Sequence, residues 1–412
     1  MTKGQATSYP KDKINILLLE GIHPAAIDIF KNEGYENIES VKHALSGIEL
    51  REKLKGVHVL GIRSKTQVTA ESLSNADKLL TIGAFCIGTN QVDMNECTMQ
   101  GIAVFNSPFS NTRSVAELVI AEMILLLRKA IDKNNNLHKG TWEKSSSGSF
   151  EVRGKTLGII GYGHIGSQVS VLAEAMGMQV LYNDIEPRLP LGNARAAKNL
   201  SDLLKQSDVV TIHVPGLKTT KDMIDAKRIA EMKNGAVLIN CARGDLVVEE
   251  AAKDALLSGR LGGYGGDVFR HEPASNDEPF KSVFQNLPNV FLTPHIGGST
   301  VEAQENIGVD VGNKLMNYLN TGSTVGSLTV PDLHLPVQND THRILHIHKN
   351  LPGVLSEMNK IFSDLNVNIL GQYLKTNAQI GYAVIDIDKK TSPGVQDALR
   401  QVKHTIRVRN LY

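Results

Sequence analysis

Three side chains, Arg243, Glu272 and His295, each stand just beyond an apolar run that reads as a strand. Arg243 closes AVLINCAR, Glu272 follows DVFRH, and His295 follows VFLTP and precedes two glycines. Open α/β sheets bind their ligands at strand ends. A histidine titrates near neutrality and exchanges protons with a substrate. An arginine holds a carboxylate and polarises the carbonyl beside it; a glutamate orients the imidazole and raises its pKa. Together they would perform acid–base chemistry at a hydroxyl or carbonyl next to a carboxylate. The chain has 13 histidines, so spacing alone leaves His295 open to a second reading, a loop residue packed beside a glycine turn.

A second set has cofactor chemistry. Gly161-Tyr162-Gly163-His164-Ile165-Gly166 follows the apolar run LGII, and Asp184 ends the next such run, 18 residues after Gly166. The glycines let the backbone approach a pyrophosphate, the helix N-terminus stabilises its charge, and the acid accepts from ribose hydroxyls. The helix after the loop is expected to turn Ile165, Val169, Leu172 and Met176 inward. Ile185 follows Asp184, so no arginine stands immediately beside it for a 2′-phosphate, although Arg188 is near. The spacing therefore favours NAD over NADP. Cys86, Cys97 and Cys241 form no CxxC, which fits a reducing compartment, the cytoplasm, and supplies no metal site.

These residues need a scaffold, and the 412 residues are enough for two or three domains. Lys and Arg total 44 against 43 Asp and Glu, a net charge of +1, which argues against nucleic acid as the main partner. The opening MTKGQATSYPKDK lacks an apolar signal core. The apolar stretch 115–127 is too short for a membrane span and contains Glu117 and Glu122, so it reads as a buried helix capped by Asn111 or Ser114. Strand-like runs at 14–20, 58–64, 79–85 and 103–107 alternate with helical patterns. After a Ser/Gly-rich excursion at 145–149 a second alternating series begins, ending in a helix near 300–320. Alternation of this kind makes a parallel sheet with crossover helices. Residues 321–340 read as a loop-like boundary, and the remainder follows the order βαββαβ of a ferredoxin-like domain.

The set GYGHIG with Asp184, CARG, DVFRHEP and TPHIGGS resembles the D-2-hydroxyacid dehydrogenase family, whose arginine, glutamate and histidine motifs map in order onto Arg243, Glu272 and His295. The runs IRSKTQVTAESL, AFCIGTNQVD and PFSNTRSVAELV, with the C-terminal βαββαβ, resemble its phosphoglycerate-oxidising members of the shorter bacterial type. The resemblance implies a flavodoxin-like substrate domain from 1–110 and 298–338, a Rossmann NAD domain from 111–297 inserted into it, and an ACT regulatory domain from 339–412. It implies an active site in the cleft between the first two. The implied activity is NAD-dependent oxidation of 3-phospho-D-glycerate, first step of L-serine synthesis.

The resemblance also assigns roles to further positions. Arg243, with N–H groups near Gly88 and Thr89, would bind the substrate carboxylate and 2-oxygen; Arg63, Ser64 and Asn111 would complete the anion site. Gly161, Gly163, His164, Ile165, Gly166, Asp184, Cys241, Ala242, Arg243, Asp267, His295, Ile296, Gly297 and Gly298 would line the cofactor, Cys241 as a small wall residue. His348, Asn350 and Asn368 would receive L-serine between paired ACT domains of a homotetramer; oligomerisation alone is the plainer role for that domain. Trp142 and Lys144 fall in a region used for subunit contact. Rival readings are a glyoxylate or hydroxypyruvate reductase, a side activity on 2-oxoglutarate, and a non-catalytic NADH sensor.

Overall fold

Short apolar runs that bury both faces are the mark of parallel strands covered by crossover helices, and β1 (Ile16–Leu18), β3 (Val59–Ile62) and β4 (Thr81–Ala84) are buried at every position. With β2 (Ile38–Ser40) and β5 (Ala103–Asn106) they form an all-parallel sheet ordered β2-β1-β3-β4-β5. This is the flavodoxin-like order, with its switch point between β1 and β3. The computed structural model describes residues 9–273, 277–336, 341–389 and 394–411. Their contacts divide the chain into two compact units, Asn111–Ala303 and the remainder on either side of it. The division falls inside the helix Val301–Thr321, and the boundary expected at 338–339 touches residues outside the described set.

The Asn111–Ala303 unit holds a seven-stranded sheet. Its strands are β6 (Thr156–Ile160), β7 (Gln179–Asn183), β8 (Arg195–Ala196), β9 (Val209–Ile212), β10 (Ala236–Asn240), β11 (Leu261–Gly266) and β12 (Val290–Leu292), ordered β12-β11-β10-β9-β6-β7-β8. All pairings are parallel, and the order reverses beside β6, the doubly wound Rossmann arrangement. The apolar helix Thr112–Leu127 packs into this core through Val115, Val119, Met123 and Leu126. Asn111 is its N-cap residue but its side chain makes no capping bond, and Ser114 bonds to Thr300 instead. No helix among the described residues is long and apolar enough to cross a membrane. The helix after the glycine loop, His164–Ala175, buries Gly166, Val169, Ser170 and Ala173. The expected Val169 is among them, and Ile165 and Leu172 are half-buried against the same core, while Met176 is the C-cap residue beyond the helix. Gly166 is small because of close approach: a Cβ there would stand 2.2 Å from the Gly161 carbonyl oxygen.

The C-terminal sheet is antiparallel, ordered β14-β15-β13-β16, from β13 (Thr341–Lys349), β14 (Ile369–Thr376), β15 (Ile380–Asp388) and β16 (Thr405–Leu411). Helices Val354–Asp364 and Val395–Arg400 cover one face through Val354, Met358, Phe362 and Leu399 against Ile344, Ala383 and Ile385. The alternate residues Leu345, Ile347, Tyr382 and Val384 enter a different core, shared with Phe30, Phe105, Val311, Tyr318 and Leu319 of the first sheet and its helices. Antiparallel sheets commonly leave one face to solvent; here both faces are covered along β13 and β15, whereas the edge strand β14 buries no residue. Buried Arg343 pairs with buried Asp386, Nε to Oδ1 at 2.7 Å and Nη2 to Oδ2 at 2.9 Å, and also donates to the carbonyls of Thr321 and Pro336. Arg409 donates to the carbonyls of Tyr318 and Leu319, so arginines satisfy the orphaned C-terminal carbonyls of the long helix. The described residues after that helix, 322–336, form no regular element, yet they are knitted to β5. Leu328 N–H donates to Val104 O at 2.8 Å, and Thr329 Oγ1 joins Val104 and Ile102.

Candidate active site

Two of the three fingerprint glycines are demanded by the chain itself. Gly161 has φ +91°, and a Cβ there would stand 2.4 Å from His213 O; Gly166 abuts Gly161. Gly163 differs: nothing lies within 4 Å of the place where its Cβ would be. Its smallness serves open space above the N-terminus of a three-turn helix, where backbone N–H groups and the helix dipole favour a phosphate. At the end of β7, Asp184 accepts the Tyr162 N–H at 2.7 Å and the Glu186 N–H at 2.9 Å, and Arg188 Nε stands 3.6 Å from it. The loop, helix end and carboxylate fit a dinucleotide with free ribose hydroxyls.

The acid–base residues come together in the same unit. His295 Nδ1 is 2.8 Å from Glu272 Oε2, while Glu272 Oε1 accepts the Phe269 N–H at 3.1 Å. The Glu272 bond and charge hold His295 above the ordinary imidazole pKa, against burial and the nearby Arg243 cation. Burial alone would raise the Glu272 carboxyl; the His295 hydrogen bond and charge, the Phe269 N–H and Arg243 outweigh it and hold the group below the usual range. Pairing at Nδ1 leaves Nε2 as the nitrogen that exchanges protons with a ligand. Arg243 is exposed at the exit of β10, its carbonyl held by Asn240 Nδ2 at 2.9 Å.

His295 has φ +55°, a left-handed conformation that costs free energy for a residue with a Cβ. Asp267 holds it there. Its Oδ1 accepts from Thr293 Oγ1 at 2.6 Å and Ile296 N–H at 2.7 Å, and Oδ2 accepts from Gly297 N–H at 2.8 Å. Asp267 is almost completely buried, and burial raises its carboxyl pKa. Gly298 lies against the Asn111 side chain, where a Cβ would meet Nδ2 at 2.1 Å. Asn111 is thus brought to the histidine turn. Cys241 is a buried thiol raised far from its ordinary pKa, first by burial, and donates to Glu122 Oε2 at 3.4 Å. This is not the environment of an activated thiolate.

Glu122 was visible in the sequence only as a charge interrupting an apolar helix. It is fully buried, its Oε1 has no hydrogen-bond partner, and burial lifts its pKa to about 8. A neutral acid therefore lies beneath Cys241.

Arg63, Ser64, Gly88 and Thr89 belong to the other unit, at the exits of neighbouring strands β3 and β4. In the C-terminal sheet, His348 is buried with its ring against Gly381, 3.2 Å from the His346 ring, and burial lowers its pKa. Asn350 is exposed and donates to Asn377 O at 2.8 Å. Asn368 lies at the other end of β15, beside Asp388. Eight residue steps at about 3.3 Å put the two ends some 26 Å apart, so one chain does not bring Asn368 to His348 and Asn350. Trp142 is 78% exposed, and Lys144 is exposed too. No cluster of metal-ligating side chains occurs among the described residues.

Residues 120–297 match the NAD-binding domain of D-isomer-specific 2-hydroxyacid dehydrogenases, and 344–410 match an ACT domain like that of the AHAS small subunit. Among solved structures, D-lactate dehydrogenase from Aquifex aeolicus, complexed with NAD and lactic acid, aligns with TM-score 0.66 and 27% identity over 77% of this chain and 100% of its own. A glyoxylate reductase from Paecilomyes thermophila aligns with TM-score 0.67 and 27% identity over 76% of this chain and 98% of its own. These define the class, an NAD-binding D-2-hydroxyacid dehydrogenase. D-3-phosphoglycerate dehydrogenase of Haemophilus influenzae is 51% identical over 98% of this chain and 99% of its own length. The Escherichia coli K12 enzyme of that name is 52% identical over the same shares, and enzyme 1 of Saccharomyces cerevisiae 48% over 97% and 88%. The chain belongs to the D-3-phosphoglycerate dehydrogenase family.

Proposed function

We propose that this chain oxidises the C2 hydroxyl of 3-phospho-D-glycerate to 3-phosphohydroxypyruvate with NAD, opening L-serine synthesis. The observation that carries the chemistry is the His295–Glu272 pair, beside Arg243 and in the unit that holds the glycine loop. NAD, held by Gly161–Gly166 and Asp184, supplies the hydride acceptor. His295 takes the hydroxyl proton at Nε2 in oxidation and returns it in reduction. Glu272 stays a carboxylate and stabilises the imidazolium. Arg243 binds the substrate carboxylate and the 2-oxygen, neutralising charge as the carbonyl forms.

N–H groups near Gly88 and Thr89 assist Arg243 at the carboxylate, and Arg63, Ser64 and Asn111 complete the anion site, Arg63 taking the phosphate. Residues 1–110 with the return segment after 298 then serve as substrate domain, and 339–412 as regulatory domain. The distance between Asn350 and Asn368 along β15 supports an effector site completed by a second copy, in a homotetramer inhibited by L-serine. Trp142 and Lys144 supply subunit contact.

The test follows NADH oxidation with 3-phosphohydroxypyruvate, glyoxylate and 2-oxoglutarate, each with and without L-serine. The phosphorylated substrate should react with the highest kcat/KM, and serine should inhibit. Equal rates on glyoxylate would defeat the phosphate assignment, and indifference to serine the effector assignment.

A further inference from the structure

Glu20 lies two residues beyond the end of the short strand β1 and has φ +63°; Gly21 follows with φ +61°. A tight turn alone is served best by glycine or asparagine, so a glutamate in this conformation calls for a reason. Its carboxylate supplies one. Oε1 accepts the Arg63 N–H at 3.0 Å and the Thr66 N–H at 2.9 Å, and Oε2 accepts the Lys65 N–H at 2.9 Å. Three donors of the loop leaving β3 therefore converge on one side chain.

The other polar group of the Arg63 backbone is taken as well. Gln91, 4% exposed, donates from Nε2 to Arg63 O at 2.7 Å and to Gly88 O at 3.2 Å. One amide thus ties the exit of β3 to the turn leaving β4. That turn is held again by Asn106 Nδ2, which donates to Ile87 O at 2.6 Å. Both backbone polar groups of Arg63 are fixed by side chains, while its guanidinium is left to project from an anchored Cα.

We infer that Glu20, with Gln91, is a positioning residue for substrate recognition: it locks the Arg63 loop to the Gly88–Thr89 turn, so that the two form one rigid cradle for an anionic substrate group. The inference rests on the reading that Arg63 contacts the substrate phosphate. Glu20 itself touches no substrate, because its oxygens are spent on the loop. Replacing it by glutamine preserves shape but turns an amide N–H₂ toward a backbone donor. The Arg63 loop then loses its fixed position, and the cost appears in recognition of the phosphate end.

The experiment measures KM and kcat of the full-length enzyme with 3-phosphohydroxypyruvate and with phosphate-free hydroxypyruvate, for the native chain, Glu20→Gln, Glu20→Asp, Gln91→Met and Arg63→Ala, with melting temperatures. Glu20→Gln should raise KM for the phosphorylated substrate about tenfold, with a smaller change in kcat and no change in the KM for hydroxypyruvate or NADH. Glu20→Asp, which keeps the carboxylate, should recover part of the loss. Gln91→Met loosens the carboxylate-binding Gly88–Thr89 turn as well as Arg63, so it should raise KM for both substrates, more for the phosphorylated one, with NADH unchanged, which keeps the test open if Glu20→Gln does not fold. A selective rise in Arg63→Ala with none in either positioning variant overturns the inference alone. Equal losses on both substrates and NADH, accompanied by a lower melting temperature, also overturn it, since they report general destabilisation. No change in Arg63→Ala overturns the reading beneath it, and the inference with it.

Discussion

The Nδ1 atom of His295 lies 2.8 Å from Oε2 of Glu272, and the bond raises the imidazole pKa above its ordinary value. Under the proposed mechanism oxidation uses neutral His295, so its rate should fall as the pH drops through this raised value; reduction uses the imidazolium and should fall as the pH rises through it. Glu272→Gln removes the negative partner. The acid limb of the oxidation profile should then move to lower pH, and the turnover number should drop about a hundredfold. Profiles of kcat/KM in both directions decide the matter: an unmoved limb would mean that another group titrates.

Asp267 restrains the turn that carries His295 by accepting three hydrogen bonds. In Asp267→Asn an amide nitrogen must face at least one of those donors. The loss should be about 1–3 kcal/mol of stability, read as a lower melting temperature, together with a fall in kcat. A variant with native kcat would show that the left-handed His295 conformation holds without the clasp.

Glu122 has a pKa of about 8 against 4.5 for the free side chain, through burial. Across that window the folded chain keeps a proton that the unfolded chain releases. The stability associated with this group is complete below the lower value and falls as the pH rises toward the upper one. Glu122→Gln cannot ionise, so its melting temperature should exceed that of the native chain at pH 8, with the gap closing toward pH 5. A gap independent of pH would show that the carboxyl is not held neutral.

Asp184 spends its oxygens on the Tyr162 and Glu186 N–H groups while Arg188 Nε stands 3.6 Å away. Asp184→Ser removes the charge that repels a 2′-phosphate and releases Arg188 toward it. The ratio of kcat/KM for NADP over NAD should rise, by about a hundredfold. Unchanged preference would move discrimination to another residue.

The motifs readable in the sequence were those whose parts lie close together in the chain. The strand, glycine loop and helix around Gly161–Gly166 are contiguous, and Asp184 follows one crossover later. Arg243, Glu272 and His295 announced themselves by standing at strand exits. The clasp of Asp267 on Ile296 and Gly297 and the hold of Glu20 on Arg63 span long loops of chain, and no local pattern marks them. Strand β2 escaped notice because none of its three residues is buried, which leaves no apolar pattern to detect. The helix Ala130–His138 likewise buries no residue. On the helix His164–Ala175 the apolar Ile165, Val169 and Leu172 pack as their spacing implies, while the burial of Gly166, Ser170 and Ala173 beside them has no apolar pattern to announce it. For the proposed effector residues, strand length decides: Asn350 and Asn368 lie at opposite ends of β15, a distance that composition does not reveal.

The shared core beneath the C-terminal sheet has a consequence for anyone who would detach it, because the sheet is not carried as a bead on a string. Leu345, Ile347 and Tyr382 cover Phe105, Tyr318 and Leu319, while Arg343 and Arg409 satisfy carbonyls at and after the end of the long helix. Cutting the chain before Thr341 would therefore leave a sticky, exposed wound on the first sheet and its helices, and a tail-free version would have to be resurfaced first.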